Sequence, residues 1–511
     1  MTVNTFLRAR LKTSAVQSVR CAKREVSNTG VHRMISRRSL IAKGTRITAG
    51  AALSRFALAI KPTSISVRLS EERQIVEVPP NFIGLGFEKS SAAVVGLLSH
   101  TNERYVQLLR NLGGKGVLRI GGIVADFSRY APDGNSASEP KNTVVTRQNL
   151  KQLRGFLEAT GWSAVWSLNF GQGSLADALR EVKDVAAILG PRLEAIELGN
   201  EVDNYGNGPK PLRPHPYTFE NFLAELDAWY KEIKRAIPGV RFAAPDTAGS
   251  VEWVEKMAAS RPAEVQILTT HYYRGNQRQG SANQLTYPDP HLGSKLERLT
   301  RASQKSSIPW RMCETNSFSG GGLPGVSDTL LGALWTLDYL LLLAQSGCSG
   351  VNVETGVNQL GFVSSYSPIQ DDGNGINRAG PPYYGMLGFV TAVAHSSHLL
   401  PVAFDDRGMN LTIYVSGEPG RPRSVVVVNR DPLQDANVSV VELRMGKGIG
   451  YRLLAPSPNS KTGITFGGES VGDHGRWTAT AGEQIHNGYL NVPRMSAVVF
   501  SASSPIPAPE I

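Results

Sequence analysis

The chain has 511 residues, 41% hydrophobic and 19% charged, a mix that excludes disorder, coiled coil and collagen and suits one large domain plus a smaller one. Its three cysteines, Cys21, Cys313 and Cys348, exclude a disulfide scaffold and a CxxC zinc site. Of the formal charge of +11, all resides in residues 1–59, which hold 12 Lys/Arg against Glu25 alone, so the remaining chain is neutral and nucleic acid is not implied as a partner.

That basic segment carries Ser36-Arg37-Arg38-Ser39-Leu40-Ile41-Ala42-Lys43, which looks like a twin-arginine export box. A weakly apolar stretch from Ile47 to Ile60 follows, broken by Arg55 and too short to span a bilayer. Ala57-Leu58-Ala59 supplies a small-x-small cleavage pattern, so residues 1–59 are expected to be a leader cleaved after Ala59. The alternative is a mitochondrial transit peptide, since the segment is rich in Arg and Ser and almost free of acid. Met34, just before the box, offers a second start site.

From Phe82 onward, short apolar runs alternate with longer segments of helical spacing. The runs are Phe82–Phe87, Gly116–Ile120, Ala164–Phe170, Leu193–Leu198, Val240–Ala244, Val265–Thr270, Ile308–Cys313 and Gly350–Val353. Each has the length and flanks of a buried parallel strand. Asn221–Ala236 and Leu330–Gln345 illustrate the intervening helical pattern. Eight such units over residues 81–384 predict a (β/α)8 barrel, whose chemistry gathers at the C-terminal ends of its strands. Leu340–Leu343, preceded by Asp338, reads as part of a buried barrel helix rather than a membrane span.

After Pro381-Pro382-Tyr383-Tyr384 the texture changes to short strands separated by Gly, Pro and Asn turns: Leu411–Val415, Ser424–Asn429, Val438–Leu443, Ile464–Phe466 and Ser496–Ser501. Residues 385–511 are therefore predicted to form an antiparallel β-sandwich. Ser64–Leu69 and Gln74–Val78, within residues 60–80, are expected to pair into it.

Two carboxylates stand where a barrel would place its chemistry. Ile196-Glu197-Leu198-Gly199-Asn200-Glu201 is a buried strand ending in a carboxamide and a carboxylate. Trp310-Arg311-Met312-Cys313-Glu314-Thr315-Asn316 ends another strand in Glu314, three barrel units later. If these are strands four and seven, the two ends face each other across the mouth. Glycoside hydrolysis needs such a pair, one carboxyl to protonate the departing oxygen and one carboxylate to attack the anomeric carbon or activate water.

Gly199-Asn200-Glu201 with Cys313-Glu314-Thr315-Asn316 resembles the clan of retaining glycosidases with barrel folds. Within it the chain most resembles glycoside hydrolase family 79, of β-glucuronidases and heparanases. Further matches are Leu118-Arg119-Ile120-Gly121-Gly122 with Asp126-Phe127, Thr270-His271-Tyr272-Tyr273-Arg274-Gly275, and Pro382-Tyr383-Tyr384-Gly385 before a trailing sandwich. The resemblance implies Glu201 as acid/base, Glu314 as nucleophile, and Asn200 as the partner of the sugar 2-hydroxyl. It also implies that one of Tyr272 and Tyr273 donates to Glu314; strand alternation puts His271 and Tyr273 on one face and favours Tyr273. Glu88, Asp126, His271 and Asn316 join the expected substrate-binding set. For a uronate carboxylate, the loop Ser317-Phe318-Ser319-Gly320-Gly321-Gly322 offers N–H groups and Tyr366 a phenol. The family tends to place tyrosine near this loop where Phe318 stands.

The twin-arginine box thus predicts export, and the resemblance implies a β-glucuronidase acting on a terminal uronate; a carbohydrate partner and a monomer are expected, with no cofactor and, since no His/Asp/Glu cluster has metal-ligand spacing, no metal. Heparanase-like endo-action, an arabinofuranosidase or xylosidase, and a non-catalytic carbohydrate binder are the alternatives. Gly171-Gln172-Gly173-Ser174 looks superficially like a dinucleotide fingerprint, but the acidic residue expected at a strand end roughly 20 positions on is missing, since Asp184 lies inside a helical pattern. Gly-x-Ser-x-Gly is absent, which argues against an α/β-hydrolase.

Overall fold

The computed structural model describes residues 64–502 apart from 73, 262, 357–363, 372–376 and 481. The export box and the cleavage pattern lie outside the described residues.

Eight parallel strands close into a barrel: β1 (Gly84–Glu88), β2 (Val117–Gly121), β3 (Ser163–Leu168), β4 (Leu193–Leu198), β5 (Phe242–Thr247), β6 (Ile267–Asn276), β7 (Trp310–Ser319) and β8 (Val351–Glu354). Closure comes from Val353 and Glu354 pairing with Leu85 and Gly86. The helices that follow are α1 (Glu103–Asn111), α2 (Arg147–Thr160), α3 (Leu175–Leu189), α4 (Phe219–Ala236), α5 (Val251–Ser260), α6 (Leu292–Ser306), α7 (Leu330–Gln345) and α8 (Pro381–Val393). Their ends are chemically marked: Thr146 with Asn149 and Thr218 with Asn221 form capping boxes, and Gly161, at φ 81°, terminates α2. The outer faces are polar except at α7 and α8, which are buried almost all round. Gly385 lets α8 lie directly on α7, since a Cβ there would sit 2.3 Å from the Ala333 carbonyl oxygen. Among the described residues no helix is long and apolar enough to cross a membrane.

The eight runs read as strands are the eight barrel strands, with ends displaced by at most about three residues except at two strands. β6 and β7 continue past the rim to Asn276 and Ser319, paired in parallel up to Asn276 with Ser319. Glu314 therefore lies inside β7 instead of ending it. A bulge there, where Thr270 pairs with Met312 and His271 with Glu314, breaks strict alternation. Cys313 accordingly faces the barrel interior beside Glu197 and Asp246.

Beyond α8 the strands are antiparallel. Leu411–Glu418, Arg421–Asn429, Ser496–Ser501 and Gly448–Leu454 form the centre of one sheet, and Val76–Glu77 joins its edge beside His398–Leu400. A second sheet of three strands packs on it: Ala436–Ser439 pairs antiparallel with Tyr489–Val492 and in parallel with Ile65–Ser66, which comes from before the barrel. Alternation divides the larger sheet between two cores. Val425, Val427 and Phe500 face the three-stranded sheet, while Val426, Val428 and Val499 face the barrel side. Arg430 pins the junction, donating to Asp338 of α7 and, at 2.6 Å, to the Leu285 carbonyl. The fold is the (β/α)8 barrel with an antiparallel sandwich that the strand pattern predicts.

Candidate active site

The chain turns sharply after β4. Gly199 has φ 80°, and a Cβ there would lie 2.2 Å from the Tyr205 hydroxyl, so the turn requires glycine. Glu201 also sits in the left-handed region at φ 49° and ψ 50°, a conformation costing on the order of 1–2 kcal/mol for a residue with a side chain. The surroundings hold it there: the Asn204 N–H donates to the Glu201 carbonyl at 2.8 Å, and Asp126 accepts from the Asn200 N–H. The result lifts the Glu201 side chain to the mouth, 32% exposed, while Glu314 opposite is 12% exposed.

The two carboxylates meet. One oxygen of each, with a ring nitrogen of His271, falls within 4.8 Å of the others. His271 is the bridge, with Nδ1 3.3 Å from Glu201 Oε1 and 3.9 Å from Glu314 Oε2, and Nε2 2.8 Å from Asp246 Oδ1. Burial by itself would lower the imidazole's pKa, but Asp246 and Glu314 outweigh it and hold the ring well above the ordinary histidine value. Its two ring nitrogens thus face Asp246 and Glu201, one on each side.

Arg119 of β2 organises the floor. Nε donates to Glu197 Oε2 (2.9 Å), Nη1 to Glu314 Oε2 (2.6 Å), and Nη2 to Asn200 Oδ1 (2.9 Å) and Asp246 Oδ2 (2.6 Å). Guanidinium, Glu197 and Asp246 are all fully enclosed. Burial works to raise Asp246, yet Arg119 and His271 pull it below the usual carboxylate range, while burial pushes neighbouring Glu197 up. Glu314 also accepts from the Tyr273 hydroxyl at 2.8 Å. Burial and Glu314 hold that phenol well above its ordinary pKa, so it stays a donor.

Of the residues expected at the sugar, Glu201, Glu314, Asn200, His271 and Tyr273 come together. Glu88 lies at the rim, buried, accepting from the Val124 N–H at 2.8 Å in space left by Gly122. Tyr366 is enclosed beside Tyr273, ring centroids 6.2 Å apart, and its loop is tied to the glycine loop through Ser365 N–H donating to Gly321 O at 2.7 Å. Gly320, Gly321 and Gly322 are all left-handed. Phe318 packs inward against Gly275 and Gly280.

Three expected contacts are corrected. Asp126 lies beneath the Asn200 turn, 1% exposed, accepting from Tyr205 (2.7 Å) and the Gly171 N–H (3.0 Å), and burial pushes its carboxyl up to about 7. It props the turn, enclosed beneath the mouth. Tyr272 points out of the barrel, because alternation sends it opposite to its neighbours. Its hydroxyl donates to Asp289 at 2.8 Å and its ring stacks on Tyr339. Asn316 spends its amide on the carbonyls of Glu354 (2.8 Å) and Tyr366 (3.2 Å), tying β7 to the chain after it. Arg119, Glu197 and Asp246 were not among the expected site residues. Their signal was a charged residue inside an apolar strand, with no way to tell whose charge it met.

No family model matches the chain. It is similar to a β-glucuronidase of Aspergillus niger, 26% identical over 483 residues covering 80% of this chain and 87% of that protein. A β-glucuronidase of Neurospora crassa is 23% identical over 344 residues, 58% of this chain and 60% of that protein. Among solved structures, a 4-O-α-L-rhamnosyl-β-D-glucuronidase from Fusarium oxysporum superposes with a TM-score of 0.69 at 18% identity, covering 85% of this chain and all of that one. A family 51 α-L-arabinofuranosidase from Bifidobacterium longum gives 0.63 at 13% identity, covering 86% and 99%. These are glycosidases by name. At such identities the solved structures speak to the shared barrel-and-sandwich fold.

Proposed function

We propose that the chain is a retaining exo-β-glycosidase of glycoside hydrolase family 79, a β-glucuronidase that releases terminal β-linked glucuronic acid by double displacement. The observation that carries this reading is the approach of the Glu201 and Glu314 carboxylates to within 4.8 Å across the mouth. Retaining enzymes hold the pair about 5–5.5 Å apart so that one attacks directly, whereas inverting enzymes leave roughly 6.5–9.5 Å for a water. The β-glucuronidase relatives support the choice of sugar.

The roles follow from position. Glu314, deeper and held by Arg119 Nη1 and Tyr273, is the nucleophile; both donors aim its carboxylate at one point. Glu201, at the open side, protonates the leaving oxygen, and then deprotonates the water that hydrolyses the glycosyl ester. Asn200, locked by Arg119 through Oδ1, presents its amide N–H₂ to the sugar 2-hydroxyl. Glu88 and Tyr366, at the rims of β1 and β8, complete the sugar pocket, and the Ser317–Gly322 loop offers N–H groups to the uronate. Residues 1–59 act as a twin-arginine leader, followed by a barrel domain to residue 384 and a sandwich domain.

A panel of nitrophenyl glycosides tests the substrate: release from the β-glucuronide, with the β-anomer of glucuronate formed first in the NMR spectrum, is expected. Turnover of a neutral arabinofuranoside or xyloside without the glucuronide would refute it. Glu201→Ala should lose activity on alkyl glucuronides while largely sparing dinitrophenyl glucuronide, whose leaving group needs no proton. Equal losses on both would reverse the assignment. Tyr273→Phe removes one hydrogen bond to a charged acceptor, worth about 1.5–3 kcal/mol. The expected fall in kcat is about tenfold to a hundredfold, with KM little changed.

A further inference from the structure

Glu354 differs from every other acidic group under the mouth. It ends β8 level with Gly86 of β1. Two residues earlier on the same strand face, Asn352 sends Nδ2 to the carbonyls of Leu85 and Val117 inside the barrel, so alternation turns Glu354 inward as well. Its carboxyl occupies the space that Gly86 leaves; a Cβ there would lie 2.3 Å from Oε2. The residue is 1% exposed, and among the described residues no side chain donates a hydrogen bond to either carboxyl oxygen; the Gly356 N–H is the backbone donor beside it. Glu197, Asp246 and Glu314 each bond to Arg119, whose donors are taken by those three and Asn200.

The groups that act on this carboxyl are Glu314 on β7, Glu88 on β1 and Arg119 on β2, with the Tyr273 phenol of β6, the Tyr105 phenol of α1 and the Gly356 N–H nearby. Two carboxyls therefore face it against one guanidinium already engaged. A buried carboxylate with no cation of its own and no side-chain donor is costly, and the group neutralises instead. Burial first, then Glu314 and Glu88, hold it well above the ordinary range, while Arg119 and the Gly356 N–H oppose this without prevailing.

We propose that Glu354 is a proton-gated specificity residue for an anionic sugar: as a neutral acid it leaves the pocket able to accept the substrate's own carboxylate, and once ionised it expels that carboxylate. This rests on the uronate reading above. The proposed sugar site already holds Glu314, Glu201 and Glu88, so one further negative charge decides whether a uronate enters. A neutral glycoside of the same shape is indifferent to it. At an effective dielectric of about 20, a charge pair several ångströms apart changes affinity on the order of tenfold or more.

The test is calorimetric binding of unhydrolysable phenyl thio-β-glucuronide and thio-β-glucoside to the full chain, from about pH 5 to about pH 10. Wild type, Glu354→Gln and Glu354→Leu are compared. Wild type should lose about tenfold or more in glucuronide affinity toward the alkaline end, with glucoside affinity flat. Both variants should abolish that loss, Gln as an isostere of the neutral acid and Leu as an apolar check. A glucuronide loss that persists in the variants, or an equal loss for the glucoside, overturns the role of Glu354. A wild type that prefers the glucoside even at acid pH overturns the uronate reading, and this proposal with it.

Discussion

Glu314→Gln is expected to abolish turnover, with a fall in kcat of about 10⁴-fold or more, the scale on which loss of a covalent nucleophile acts. The fold should survive. The glutamine carbonyl oxygen can take the place of Oε2 and accept from Arg119 Nη1, 2.6 Å from the native oxygen, while its amide N–H₂ takes the place of Oε1, 2.8 Å from the Tyr273 hydroxyl, and donates to it. Arg119 keeps Glu197 and Asp246 as counter-charges, so the substitution strands no buried cation. What is lost is the attacking electron pair, because an amide forms no glycosyl ester at this position. Kinetics on nitrophenyl β-glucuronide, with circular dichroism and thermal melting of the same protein, provide the measurement. A 2-deoxy-2-fluoro-glucuronyl fluoride should add one sugar mass to wild type, on the peptide containing Glu314, and none to the variant. Residual activity above about 1% of wild type in Glu314→Gln would move the nucleophile elsewhere.

The barrel was legible because each strand is an apolar run with polar flanks, buried on both faces; β4 and α7 have the same bounds in sequence and structure. What escaped is instructive in physical terms. His271–Asn276 and Glu314–Ser319 are polar and read as loops, yet they continue β6 and β7 by pairing with each other above the rim. Neither segment signals this alone, since the pairing belongs to two segments some forty residues apart. The bulge at Cys313 escaped for the same reason, and with it the inward direction of that side chain.

That Glu201 and Glu314 meet at the barrel mouth was legible from residue type and spacing, whereas the network beneath them was not. Arg119, Glu197 and Asp246 interrupt apolar strands, which marks each as unusual. Their meeting depends on barrel closure, which brings Arg119 to acceptors 78, 127 and 195 residues away. Asp126, Tyr272 and Asn316 show the converse. Each sits in a segment that matches the family resemblance, but side-chain direction turned one under the Asn200 turn, one outward and one sideways to the main chain.

Arg119→Met should be the most destabilising single change in the barrel, by about 3–5 kcal/mol, the cost of leaving buried carboxylates without their cation. Four acceptors on the ends or interiors of β4, β5 and β7 converge on this one side chain, two of them with no exposure at all. The pH dependence identifies the cause. Asp246 is held at about 2 because Arg119 and His271 outweigh its burial, so its contribution to stability is present above the ordinary carboxylate range and is lost as pH falls toward 2. Removing the guanidinium raises Asp246 and forfeits that contribution at neutral pH. The gap in denaturant midpoint between wild type and variant should therefore be widest near neutrality and narrow below about pH 4, where unfolded carboxyls protonate. A gap of constant size across that range would point to lost packing volume instead. Arg119→Lys separates charge from shape: an ammonium supplies the charge but lacks the planar fork that spans Glu197, Glu314, Asn200 and Asp246 together. It should recover part of the stability while kcat stays depressed, because Glu314 and Asn200 are no longer aimed by one rigid group. If lysine restored full activity, charge alone would account for Arg119, and the fork geometry would be incidental.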